Sequence, residues 1–218
     1  VDILLDQAKT RIPEYVPIRH ARMAADPFAF FRGGAATMAH DLAKLPSPSI
    51  PVQLCGDMHV SNFGFFSTTE HQLVFGINDF DETLPGNFDW DLKRLTASAM
   101  IAAQLLGQDQ AYGEDIVRDI CKAYRINLHR YASMPYIDLK RTYINEKSLT
   151  SIAATNANAA SQRYLKDLLN KARKNSGHGM LGKLTELTAD GIRLINNPPL
   201  IEHPQFSPHG RRIIELND

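Results

Sequence analysis

Two neighbouring stretches, CGDMHVSNFG from Cys55 to Gly64 and GINDFDET from Gly76 to Thr83, decide how this chain is read. Each stands at the end of a short apolar run, Pro51 to Leu54 in one case and Leu73 to Ile77 in the other, and each run leads into small or acidic residues. Short apolar runs bounded in this way predict strands. A strand end holds its side chains rigidly while the adjoining loop lets them converge on a ligand. Residues 62–66 are expected to supply a further short strand, with Ser67 to His71 as a polar turn before Leu73.

The two loops carry a set of oxygen-bearing side chains suited to phosphoryl transfer. That chemistry needs a carboxylate to position the incoming hydroxyl, and oxygen ligands for magnesium ions that bridge nucleotide phosphates. Asp57, Asn62 and Asp79 supply such a set. The interval Asp-x-x-x-x-Asn from Asp57 to Asn62 is that of a kinase catalytic loop, and Asp79-Phe80 stands where a metal-binding Asp-Phe-Gly would follow.

Outward from this centre the helical period takes over. Pro13, Pro17 and Pro27 limit helix continuation among the first fifty residues, so short pieces are expected there. Ala35, Met38, Ala39, Leu42 and Leu45 recur at helical spacing before Pro46 and Pro48. From Phe88 to Gly107 a helix is expected with Leu92, Leu95, Ala99, Ala103 and Leu106 on one face. A second runs from about Asp109 to Tyr131, and a third, amphipathic one from Leu149 to about Lys174. Pro198, Pro199, Pro204 and Pro208 predict extended backbone after Asn196.

The loop resembles that of aminoglycoside phosphotransferases and choline kinases, whose pattern is His-Gly-Asp-x-His-x-x-Asn. His59 fits it, and Cys55 stands in place of the first histidine. The family's later Ile-Asp-Phe strand end and Tyr-Asp-Leu helix start are echoed by Ile77 to Phe80 and by Trp90-Asp91-Leu92. The resemblance implies Asp57 as base, Asn62 and Asp79 as magnesium ligands, and Asp91 as a brace for the loop. Asp81 replaces the glycine after Asp79-Phe80, so either aspartate is a candidate for the metal.

Nearly end to end, the chain also resembles a bacterial family, the domain of unknown function 2252. The carriers are PIRHARM (Pro17 to Met23), PFAFFRGGA (Pro27 to Ala35), QLCGDMHVSNFG (Gln53 to Gly64), NDFDETLPGNFDWDLKRL (Asn78 to Leu95) and NNPPLI (Asn196 to Ile201). In that family a glycine-rich segment and a lysine serving the nucleotide phosphates are expected after these motifs, which implies permuted kinase lobes. The chain then reads as the front portion of a longer protein, one that by itself is expected to bind nucleotide poorly and turn over little or none.

Other polar residues leave alternatives open. His59 either holds the turn or meets substrate. Asp81 and Glu82 either support the metal ligands or form a solvated acidic turn. Arg32, beside Gly33 and Gly34, either offers its guanidinium to phosphate or pairs with the acidic loop; Arg19 and Arg22 share that ambiguity. Lys93 and Arg94 are placed in the first turn of their helix, where a cation opposes the helix dipole; a solvated face is expected there, with pairing to the acidic cluster as the alternative.

Composition narrows the function classes. Lysine plus arginine equals aspartate plus glutamate at 24 each, so no overall field draws the 218-residue chain to nucleic acid or an anionic membrane. No run of about 18 apolar residues exists and no secretory signal opens the chain, which points to a cytoplasmic protein. Cys55 and Cys121 lack metal or disulfide spacing; Cys55 reads as a buried strand-end thiol.

The expected fold is helix-rich α+β, the helical portion of a protein-kinase-like fold with a small sheet of short strands. Its parts are a helical segment at 1–50, a catalytic-loop domain with a helical bundle at 51–195, and a proline-rich tail at 196–218. The expected function is Mg-ATP-dependent phosphoryl transfer to a small hydroxylated molecule. Asp57 and His59 are the catalytic candidates, Asn62, Asp79 and Asp81 the metal candidates, and Arg32, Glu82, Asp91 and Arg94 the phosphate-binding or supporting ones. Two alternatives remain. Gly56-Asp57-Met58-His59 with Gly86-Asn87-Phe88-Asp89 partly imitates a metallophosphoesterase, and a non-catalytic binding module would keep the same fold.

Overall fold

The computed structural model describes residues 2–174, 184–189 and 191–196. The proline-rich tail expected after Asn196 lies outside them. The chain forms two compact units. One comprises Val1–Phe66 with Val74–Ile144, and the other comprises Ser67–Leu73 with the described residues from Asn145 onward.

The first unit begins with four short helices, α1 (Asp2–Ala8), α2 (Val16–Met23), α3 (Pro27–Gly33) and α4 (Ala35–Leu42), with a 3-10 turn at Pro13–Tyr15. Pro13, Pro17 and Pro27 sit in the opening positions of their elements. A missing N–H costs nothing there, because the first helical N–H groups have no intrahelical acceptor. Asp26 caps α3 by accepting from the Ala29 N–H at 2.8 Å.

Strand β1 (Pro51–Leu54) pairs antiparallel with β4 (Leu84–Asn87), Leu54 standing opposite Leu84. Between them in sequence, β2 (Phe63–Ser67) and β3 (Leu73–Ile77) are neighbours in a sheet whose third member is β5 (Ile144–Asn145). Phe63 stacks on Phe75, and Phe65 meets the same ring edge-on. Leu54 and Val74 are among the most deeply buried side chains, so each strand is pinned close to the loop it delivers.

Helices α5 (Asp89–Leu105) and α6 (Gln110–Ala132) follow, joined by a short turn. They approach closely at Gly113, where a Cβ would stand 2.3 Å from the Met100 sulfur. The Phe88 and Tyr124 rings stack at 6.3 Å across the same pair. Asp89 anchors the start of α5, accepting from Ser47 Oγ at 2.6 Å and pairing with Lys93 at 2.6 Å. Helix α7 (Tyr136–Lys140) completes the unit.

The second unit contains α8 (Glu146–Asn156), α9 (Ala159–Lys174) and an antiparallel pair, β6 (Thr185–Thr188) with β7 (Gly191–Leu194). A single helix was expected over Leu149 to Lys174, and two are found. The chain turns extended at Ala157, with φ −109° and ψ 147°. Asn158 then caps the next helix by accepting from the Ser161 N–H at 2.9 Å. An asparagine side chain competes with helical backbone bonding, and here it wins over the continuing apolar period. The molecule is thus a helix-rich α+β chain with small sheets. Among the described residues no helix is long and apolar enough to cross a membrane.

Candidate functional site

The site is built by one face of α5 holding one loop. Asp91, Arg94 and Ser98 stand at i, i+3 and i+7, which lines them up along a single helix stripe. Asp91 accepts from the Cys55 N–H at 2.7 Å and from the Gly56 N–H at 3.0 Å. Arg94 Nε donates to Asp57 Oδ1 at 2.5 Å. Ser98, fully buried, accepts from the Val60 N–H at 3.0 Å while donating to Leu95 O at 2.6 Å. Residues 55–60 are therefore held at three points by three polar side chains of one helix.

The placement of Arg94 corrects the expectation of a solvated face. α5 starts at Asp89, so Lys93 and Arg94 lie beyond its first turn, which instead holds the favourable acids Asp89 and Asp91. Arg94 is only 3 % exposed. Its Nη2 donates to the Phe31 and Arg32 carbonyls at 2.8 and 3.4 Å, and its guanidinium lies over the Phe31 ring at 4.4 Å. A buried guanidinium needs such a set of partners to offset its lost hydration.

Asp57 keeps a way out. Its side chain is 23 % exposed; Oδ1 belongs to Arg94, and Oδ2 stands 3.6 Å from His59 Nε2. His59 is buried, and its Nδ1 has no hydrogen-bond partner. Burial lowers the His59 pKa; the Asp57 charge opposes that shift, while Arg32 and Arg94 reinforce it. The imidazole is accordingly neutral at neutral pH.

Asn62 ties the two loops together. Its Nδ2 donates to the backbone carbonyls of Asp57 and Asp79, both at 3.1 Å. The Asn78 N–H also donates to Asn62 O at 3.0 Å, so side chain and backbone fix the same juxtaposition. Since the amide nitrogen is committed to carbonyls, Oδ1 is left as the acceptor or ligand atom. Asp79 is exposed, and its Oδ1 accepts from the Asp81 N–H at 2.9 Å, which shapes the turn. Asp81 and Glu82 are exposed on that turn. Thr83 closes it by donating to Leu54 O at 2.6 Å.

Cys55 is a buried free thiol whose Sγ lies 3.4 Å from Asp79 O. Burial raises its pKa, a hydrogen bond with Asp57 backbone acts the other way, and the Asp91, Asp57 and Asp79 charges add to the rise. A protonated, buried thiol is a packing group rather than a nucleophile. Arg32 is exposed and has no carboxylate within ion-pair distance among the described residues.

Two further observations limit the chemistry. A cavity of about 20 Å³ lies behind the loop, lined by Gly56, Trp90, Asp91 and Arg94 among others. It is of water size, too small for a substrate. Among the described residues no three His, Cys, Asp or Glu side chains gather as a metal cage. Asp89, in the motif that imitates a metallophosphoesterase, is spent on Ser47 and Lys93. A dinuclear hydrolase gains no support from this arrangement.

Ser98 is not among the residues that motif spacing singles out, although polar residues at 91, 94 and 98 along one helix face are a visible signal. No curated protein and no solved structure matches the chain. A family model described as an uncharacterized protein conserved in bacteria, the domain of unknown function 2252, matches residues 11–216, and the chain belongs to that family.

Proposed function

We propose that this chain carries the catalytic and metal-binding loops of a phosphotransferase that moves a phosphoryl group from Mg-ATP to the hydroxyl of a small molecule. One observation carries the reading: the Asn62 amide bridges the Asp57 and Asp79 carbonyls and so binds the two acidic loops into one site. Phosphoryl transfer asks little covalent chemistry of the protein and depends on positioning and charge. In this reading Asp57, steadied through Oδ1 by Arg94, uses Oδ2 to orient the acceptor hydroxyl and take its proton. Neutral His59 beside Oδ2 adds no competing charge. Asn62 Oδ1 and Asp79 would hold magnesium, which when bound neutralises phosphate charge.

A second reading, a binding module without turnover, draws support from the same Arg94–Asp57 pair, which engages one of the two carboxylate oxygens. The two readings separate in a transfer assay with ATP and a panel of hydroxylated acceptors. Asp57→Ala and Asp79→Ala should abolish transfer. Asp79→Ala and Asn62→Ala, but not Asp57→Ala, should also weaken binding of Mn2+ followed by paramagnetic broadening. Full transfer by either aspartate variant refutes the assigned roles.

A further inference from the structure

The C-terminal end of α3 gathers more positive charge than its carboxylates match. Arg19 of α2 donates Nη2 to Gly33 O at 2.8 Å, and Arg94 of α5 donates to Phe31 O at 2.8 Å. Arg32 springs from the same turn. Phe28 and Arg32 are four residues apart on α3 and so share a face, and the Phe28 ring meets His59 edge-on at 6.2 Å. The face that carries Arg32 is therefore the one turned to the Asp57 loop. Of these three guanidinium groups only Arg94 has a carboxylate within ion-pair distance among the described residues.

Helix C-terminal carbonyls offset part of one positive charge and cannot balance two more. A guanidinium carries five N–H donors, and Arg19 uses one nitrogen in its bond to Gly33. The crowding is felt: burial, then the neighbouring Arg11, lowers the Arg19 pKa, against a weaker opposing pull from Glu82 beyond ion-pair distance. Arg32 lies near enough to His59 for its charge to help lower the imidazole pKa. Guanidiniums without a carboxylate partner suit a planar-fork receptor for a phosphate oxygen set.

We propose that Arg19 and Arg32 form a binding site for a phosphate group carried by a small molecule, beside Asp57. The site stands by itself; that the bound group belongs to a reactant rests on the phosphotransferase reading. The same chemistry is offered by a nucleotide polyphosphate and by a phosphorylated acceptor.

Calorimetric titration of the chain with inorganic phosphate and pyrophosphate tests the site. Arg32→Gln should weaken binding by about tenfold to a hundredfold, the worth of a charge-assisted hydrogen bond, with thermal unfolding unchanged in the absence of anion. Arg19→Gln should weaken binding by a similar factor, with a lowered Tm because the bond to Gly33 O is lost, and Arg19→Lys, which keeps charge and a donor to Gly33, should recover part of the affinity. Competition by ATP without metal assigns the group to the nucleotide, and competition by glycerol 3-phosphate assigns it to the acceptor. Absence of phosphate binding, or equal affinity in wild type and Arg32→Gln, overturns the inference. If transfer depends on Asp57 while phosphate binding ignores both arginines, this inference falls alone. If the arginines bind phosphate while Asp57→Ala still transfers, the transferase reading falls alone.

Discussion

Replacing Arg94 by methionine, which keeps the length of the stem and removes the guanidinium, tests the contact on which the site is built. The loss is threefold: the 2.5 Å bond to Asp57, the donor to the Phe31 carbonyl, and the stack on the Phe31 ring. Removing one partner of a buried pair costs about 3–5 kcal/mol, because the other charge is left without compensation. Asp57 is 23 % exposed and can recover some hydration, which places the expected loss at the lower end, about 3 kcal/mol. For a protein of this size that corresponds to a fall in Tm of roughly 6–12 °C. Urea unfolding followed by circular dichroism measures it, with Asp57→Asn and the double variant completing a cycle. Direct contact predicts a coupling of about 1–3 kcal/mol, the double variant being less damaged than the sum of the singles. A loss below about 0.5 kcal/mol, within the range of an ordinary surface substitution, or strict additivity of the two changes, refutes the assignment of Arg94 as the support of Asp57.

Gly56→Ala should be more damaging than its size suggests. Gly56 has φ +88° and an added Cβ would stand 1.8 Å from Glu82 O, so the loop has to open, with an expected loss of about 2 kcal/mol or more; unchanged urea stability would contradict the loop conformation. The pH dependence is set by His59, whose folded pKa lies below its ordinary 6.5. The unfolded chain then binds the proton more readily, so the stability contributed is fully present above about pH 6.5 and is lost as pH falls through the folded value. His59→Phe should flatten the stability slope between about pH 7 and 5, and an unchanged slope would show that another group governs it.

The strands at Pro51–Leu54 and Leu73–Ile77 and the helices after Phe88 were legible because apolar period and proline punctuation act locally. The break at Ala157 was not, since the Asn158 side chain captures the Ser161 N–H only once the backbone at Ala157 has turned extended. At the site, the residue types and their spacing singled out Asp57, Asn62 and Asp79. Their environments stayed hidden: whether an arginine is a solvated cation or a buried support depends on partners many residues away. Arg94 meets a carboxylate 37 positions earlier and a carbonyl 63 positions earlier.

The order of residues alone determined which loops carry acids, that glycine precedes the first of them, and that a helix with polar residues at 91, 94 and 98 follows. Tertiary structure decided what those residues do, by laying that stripe against residues 55–60 and by letting Asn62 join two carbonyls 22 positions apart, from Asp57 to Asp79. The physical reason is that hydrogen bonds and ion pairs act over a few ångströms, so only folding brings their partners within reach.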